Sequence, residues 1–343
     1  MPSPIPPRDR SVFFVGAGLS CAFGVPNTPS LINEVLSFSY TKPGKWLRDE
    51  SFKARLDQAF QFFYPDADHA GFQPDVVDFF STLRTYLDVG AGLVGTGFNE
   101  APELYRLLRR AIAQLLIYRT RDVDAETLRD NAYLNRMIQP GNIIITSNWD
   151  QMIERHANLR QLRLRLSSAG RHFNDDEVTL LKLHGSVDWT MNKSRVARYT
   201  DDNYAALSEL QHGERSRRPA LPSESNEVVR IRTKPTSAWN EVRSRSREPH
   251  LVTMATGKAD DLGPLVEVWR DAYRALSRAQ TIEIVGYSMP PDDVEIRTIL
   301  RTGIQRGSQP PAVLTKNPAP DVHYRVRQLL QRTAKSDFTP VPP

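Results

Sequence analysis

Short apolar runs that stop abruptly at small or polar residues recur along the chain, and between them lie stretches with apolar residues at every third or fourth position. The first run, Val12 to Val15 in "VFFVGAGLSCAFGVP", halts at Gly16-Ala17-Gly18 and resumes at a polar Ser20. Bulky residues closed by glycine read as a buried strand of a parallel sheet. The pattern returns in "NIIITSNWDQMIERH", where three isoleucines give way to Thr146-Ser147-Asn148-Trp149-Asp150 before a helical start. "VTLLKLHGSVDW" reads as one apolar strand ending at His184-Gly185, and "TIEIVGYSMPPDDVEIRTIL" leads from Ile282, Ile284 and Val285 into Gly286-Tyr287-Ser288. A helix then begins near Asp292 or Asp293, either of which would cap it. "AVLTKN", ending at Asn317 before two prolines' reach, predicts a last strand. Strands alternating with helical segments predict an open parallel α/β sheet with helices on both faces. In such sheets ligands sit beyond the carboxyl ends of the strands, where Gly16-Ala17-Gly18, Asn148, His184, Gly286-Tyr287-Ser288 and Asn317 all fall.

From about Leu31 to Ile138 the pattern is helical. "LYRLLRRAIAQLLIY" gathers Leu104, Leu107, Leu108, Ala111, Leu115 and Tyr118 near one stripe, with arginines mostly elsewhere. With "FKARLDQAFQFFY" and "DVVDFFSTLRTYL" it predicts a helical insertion or subdomain over 31–138, too long for a simple crossover between two strands. The glycine-rich "VGAGLVGTGF" has no strand before it and reads as a connection between helices. Over 190–249 the composition shifts to Arg, Ser, Glu and Pro, which predicts a solvated, partly flexible insertion within one domain spanning 1–343. Aromatics are too sparse there for a stacking platform, so direct nucleic-acid contact stays open.

The 343 residues, 40% of them hydrophobic, suffice for a sizeable core, and 45 basic against 40 acidic residues leave a mild net charge of +5. A single cysteine, Cys21, excludes an internal disulfide and any zinc site built on several thiolates, and fits a reducing, cytoplasmic setting. "MPSPIPPRDR" places proline and charge where a signal peptide needs an apolar core, and no apolar run nears the ~20 residues that cross a bilayer. No membrane association is expected.

Each strand-end residue has two readings. The turn at Gly16 lacks the third glycine of the dinucleotide fingerprint, since position 21 is cysteine and the next glycine is Gly24. Asn148 after a strand suits a helix cap or Asx turn as well as a ligand. His184 suits a hydrogen-bonded structural role as well as a base, Ser20 can be a cap, and Asp292 and Asp293 at a helix start read better as caps than as an acid/base pair. Gathered at one sheet edge, the residues favour a site over unrelated accidents.

The four blocks Gly16-Ala17-Gly18-Leu19-Ser20 with Gly24-Val25-Pro26, Thr146-x-Asn148-x-Asp150, Leu183-His184-Gly185 and Gly286-Tyr287-Ser288-Met289-Pro290, in this order, resemble the sirtuin superfamily, and specifically its bacterial branch of NAD-consuming antiphage-defence proteins. The resemblance covers roughly 11–30, 141–190 and 250–320, and implies a Rossmann-like NAD-binding domain. It implies that the amides of Gly16, Ala17 and Gly18 cradle the pyrophosphate of NAD with Ser20 beside them, and that Asn148 bonds the nicotinamide ribose or a water. Asp150 would accept from the carboxamide, His184 would be the general base, and Gly286, Ser288 and Asn317 would hold the adenosine half.

Two departures stand out. The protein-deacylating members carry a four-cysteine zinc module, which a chain with only Cys21 cannot build, so no metal is expected; and Val25-Pro26 runs into Asn27-Thr28-Pro29 where the deacylase pattern has Asp-Phe-Arg. The resemblance therefore implies an NAD glycohydrolase that gives nicotinamide and ADP-ribose. It implies too a homo-oligomer held inactive until released by a partner, such as a HerA-type ATPase or an Argonaute-like protein. The alternatives are a protein deacylase or ADP-ribosyltransferase using the same NAD site, and a non-catalytic NAD or ADP-ribose binding subunit of a larger complex.

Overall fold

The computed structural model describes residues 11–38, 49–65, 75–89, 101–166, 173–191, 228–230, 249–255, 259–305, 310–331 and 335–339. Most of the 190–249 insertion and residues 90–98 of the glycine-rich stretch lie outside them. The chain divides into two compact units, one formed by 1–27, 119–184 and 265–343, the other by 28–118 and 185–264.

The first unit is built on a seven-stranded sheet. Its strands are β1 (Ser11–Val15), β2 (Ile143–Thr146), β3 (Leu164–Arg165), β4 (Val178–Lys182), and, after the three strands of the second unit, β8 (Thr281–Val285), β9 (Ala312–Lys316) and β10 (Lys335–Asp337). They run in the order β10-β9-β8-β1-β2-β4-β3, every neighbouring pair parallel. This is the Rossmann-like arrangement expected from the alternation of strands and helices. The chain grows from β1 outward through β2 on one side, then returns to place β8 on the other side of β1, so the order reverses between β1 and β8. "AVLTKN" is a strand as predicted, but β10 follows it.

One face of this sheet carries Val12, Phe14, Ile143, Ile145, Leu181, Ile282, Ile284 and Val313, buried with residues of three helices that followed in the sequence with apolar stripes. Those helices contribute Val268, Ala272 and Leu276; Ile296, Ile299 and Leu300; and Val322, Val326 and Leu329. On the other face, Glu283 of β8 is buried between Tyr133, whose hydroxyl donates to it at 2.7 Å, and Arg136, which donates twice at 2.8 Å. The charge is thus compensated where it leaves water.

In the second unit the helical pattern of the sequence appears as α2 (Leu31–Ser37), α3 (Asp49–Phe63), α4 (Val76–Val89) and α5 (Ala101–Asp122) up to Tyr118, numbered after α1 (Ala17–Cys21) of the first unit. Phe52, Leu56, Phe79, Phe80, Leu83, Leu104 and Leu108 are buried, with edge-on ring pairs Phe60–Phe79 and Phe80–Tyr105. β5 (Gly185–Met191), β6 (Val228–Arg230) and β7 (Pro249–Leu251) form a separate antiparallel sheet in the order β6-β5-β7. "VTLLKLHGSVDW" is therefore two strands in two sheets. The break falls at Gly185, whose φ of +78° and whose approach to the backbone of His250, 2.1 Å from where a Cβ would stand, require glycine.

Candidate functional site

The strand registers set the stage. Val15 pairs with Thr146 and with Val285, Thr146 with Lys182, and Val285 with Lys316. The residues that follow, Gly16, Ser147, Leu183, Gly286 and Asn317, therefore start at one level along the carboxyl edge. Asn148 and His184 each stand two residues beyond a paired position on adjacent strands, which lie about 4.8 Å apart.

At the reversal point the two turns touch. The amide of Gly16 donates to the carbonyl of Val285 at 2.9 Å and that of Gly18 to the carbonyl of Gly286 at 2.8 Å. A Cβ at Gly16 would stand 2.5 Å from Cα of Tyr287, one at Gly18 would stand 2.8 Å from Cα of Gly286, and one at Gly286, where φ is +59°, would stand 2.4 Å from the amide nitrogen of Leu19. The glycines are thus explained by the approach of two backbones. The reading in which the amides of Gly16, Ala17 and Gly18 all face an anion is corrected for Gly16 and Gly18, because both N–H groups are spent on the neighbouring turn.

Asn148 is 8% exposed. Its amide nitrogen accepts no other reading than donor, since it faces the carbonyl of Gly16 at 3.1 Å and the hydroxyl of Ser20 at 3.2 Å. Ser20 thereby orients Asn148. The backbone is held by Thr146, whose hydroxyl donates to the carbonyl of Val15 and accepts from the amide of Asn148. The carboxamide oxygen of Asn148 is buried and has no hydrogen-bond partner among the described residues.

Asp150 closes an Asx turn, its Oδ1 accepting from the amide of Met152 at 3.0 Å at the start of the helix Met152–Leu159. The sequence reading missed the residue that pins this loop. Lys182, fully buried, donates to the carbonyls of Trp149 and Asp150 and pairs with Glu154 at 2.9 Å. A charged residue ending an otherwise apolar strand was the available signal.

His184 is 6% exposed, its ring tilted against Trp269 at 6.3 Å between centroids, and the Trp269 indole N–H donates to the carbonyl of Leu183 at 2.9 Å. Trp269 lies on the helix Val266–Arg278. Nε2 of His184 stands 3.7 Å from Oδ1 of Asp293, and the other oxygen of Asp293 accepts from the Tyr287 hydroxyl at 2.7 Å. Asp293, which precedes the helix Val294–Gln305, was read from the sequence chiefly as a cap; its carboxylate reaches the strand-end histidine as well. Burial, then the charge of Asp293, raises the Tyr287 phenol well above its usual value, so it is a donor.

The remaining candidates do not converge on this group. Ser288 is exposed, and next to it Met289 adopts a left-handed φ of 53°. The side-chain oxygen of Asn317 accepts from the amide of Ala319 at 2.9 Å, its own amide donates to the carbonyl of Asp337, and its carbonyl faces Nε2 of His323 at 2.7 Å. Among the described residues no group of three or more His, Cys, Asp or Glu is placed to hold a metal ion, and no helix is long and apolar enough to cross a membrane.

The fold and this edge define a Rossmann-like α/β protein with polar residues gathered at the carboxyl edge of its sheet, beside the point where the strand order reverses. No family model matches the sequence, and no curated protein does. Among solved structures the chain is similar to a mutant Sir2 homologue in complex with 2'-O-acetyl ADP ribose, at 15% identity and a TM-score of 0.39 over 97% of this chain and 87% of that one. It is similar also to a Sir2 homologue in complex with NAD, at 16% identity and a TM-score of 0.37 over 97% of this chain and 85% of that one.

Proposed function

We propose that this chain is an NAD glycohydrolase whose reaction takes place at the carboxyl edge of the first unit's sheet, with Asn148 and His184 as its catalytic residues. The observation that carries the reading is the Asn148 carboxamide: held rigidly through its nitrogen, it keeps a buried oxygen in need of a donor, and a ribose hydroxyl or a water of the bound substrate supplies one. The reading also rests on the order of the four sequence blocks around this edge.

The substrate's nicotinamide nitrogen is cationic and bonded to C1 of the ribose. When that bond breaks, its electron pair stays with nicotinamide, which leaves neutral, and positive charge develops on the ribose. Water then bonds to C1 while His184 accepts its proton, giving ADP-ribose, nicotinamide and a proton. Asn148 holds the hydroxyl or water in line. The pyrophosphate lies over the turn at Ala17, close to Gly18 and Ser20, Asp150 accepts from the nicotinamide carboxamide, and Gly286, Ser288 and Asn317 flank the adenosine half.

Unrestrained cleavage would empty a cell of NAD, so the activity is that of a regulated effector in bacterial antiphage defence, cytoplasmic and self-assembled. It is released by another chain of the HerA-type ATPase or Argonaute-like kind. Chromatography of NAD incubated with the full-length chain tests the reaction. Nicotinamide and ADP-ribose formed in equal amounts, and lost in Asn148→Ala, support it; NAD bound and recovered intact at every protein concentration overturns it.

A further inference from the structure

Resting on the reading of His184 as the base, we infer that Asp293 is a positioning residue: its carboxylate, held by Tyr287, fixes the His184 imidazole with the proton on Nε2 and the lone pair on Nδ1. The three side chains are all buried, Nε2 faces Oδ1 of Asp293 at 3.7 Å, and Tyr287 donates to Oδ2 at 2.7 Å. Tyr287 is itself fixed, its ring edge-on to Phe14 at 5.0 Å and its backbone against Gly16. Asp292 and Arg297 act on Tyr287 from the same helix start, and the neutral ring of Trp269 lies against His184 from the helix opposite. The separation of 3.7 Å is longer than a hydrogen bond, as catalytic contacts often are before substrate binds, and a small rotation of the imidazole closes it.

A carboxylate can only accept, so it selects the Nε2–H tautomer and leaves Nδ1 basic. Asparagine at 293 tests this with little change of shape. Tyr287 must still donate, so the amide oxygen turns to the phenol, and the amide NH2 turns to His184 and demands a bare Nε2. The proton moves to Nδ1 and the base is lost, although the fold remains.

The measurement uses the full-length chain. Ring-nitrogen NMR, with the His184 signals identified by their loss in His184→Ala, reads the tautomer without substrate, and nicotinamide release and NAD calorimetry read turnover and binding. In Asp293→Asn the tautomer reverses, kcat falls about 10–100-fold, part of what a positioned acid/base group contributes, and the Kd for NAD stays within about threefold. Adding Tyr287→Phe frees the amide to turn over and recovers part of the loss. A parental tautomer and parental kcat in Asp293→Asn, with His184→Ala inactive, overturns the role of Asp293 and leaves the base in place. Parental turnover in His184→Ala instead overturns the base itself, and the inference with it.

Discussion

A carboxamide oxygen shielded from water and left without a donor costs on the order of 1–3 kcal/mol, and folded chains seldom keep one without use. Asn148 keeps one at the carboxyl edge of the sheet, with its nitrogen secured by Gly16 and Ser20. Cys21 is the contrasting residue. It lies one position after Ser20, yet it is exposed, and its thiol accepts a long contact from the Asn27 amide at 3.9 Å. Cys21→Ala should therefore retain most nicotinamide release, and complete loss would give the thiol a part in the chemistry. Gly286 is bound by geometry rather than chemistry. An alanine there must hold φ near +59° and drive its Cβ into the Leu19 amide, breaking the bond from Gly18 to the Gly286 carbonyl. Gly286→Ala should lower stability by about 2–4 kcal/mol in urea unfolding; a change under about 0.5 kcal/mol would mean the two turns do not need to touch.

At the scale of elements, the strand ends are held by groups that a sequence pattern shows only dimly. The central strands were legible because each is buried on both faces and so reads as an unbroken apolar run. β3 and β10 were not, having two and three residues with hardly an apolar side chain between them. The strand end at His184-Gly185 was legible, but β5 beyond it was not, because Ser186 and Asp188 interrupt its apolar positions. For the site, Asn148 and His184 were legible as polar residues ending such runs, whereas the second duty of Asp293 was hidden by its place at a helix start. The amides of Gly16 and Gly18 could not be assigned before the turn at Gly286 was seen beside them. Lys182 is the element-scale test. Lys182→Met leaves Glu154 buried without its cation and frees the carbonyls of Trp149 and Asp150, which should cost about 3–5 kcal/mol. Lys182→Met with Glu154→Leu should recover much of that stability but not the rate of nicotinamide release, since the loop stays unpinned. Full recovery of both would reduce the pair to a matter of stability alone.

At the scale of the whole molecule, each unit carries a buried histidine that folding keeps neutral. Burial, then the charge of Arg160, lowers His156 to about 4 in the first unit, and burial, then Arg109, lowers His250 to about 4 in the second. In the unfolded chain both return to about 6.5. Between these values the unfolded state binds more protons, so stability is complete above pH ~6.5 and falls as the pH drops towards 4, at up to about 1.4 kcal/mol per pH unit for each histidine. Asp337, held down to about 2 by Lys316, adds its own loss only below pH ~4. Urea midpoints at pH 7.5 and pH 5 should differ accordingly, with His250→Gln and His156→Gln each shallower in slope; an unchanged midpoint would show that these rings are not neutral by burial.

The claim that joins these scales is that Asn148 and His184 serve one transition state in the cleavage of NAD. Its most direct test is the rate of nicotinamide release by the parent chain, Asn148→Ala, His184→Ala and the double variant, at protein concentrations from nanomolar to tens of micromolar so that self-assembly is sampled. Each single substitution should slow release by about 10²–10⁴-fold, and the double variant should be little slower than the worse single one, because the two groups act on the same step. Near-parental release by His184→Ala, or losses that simply multiply in the double variant, would contradict the account.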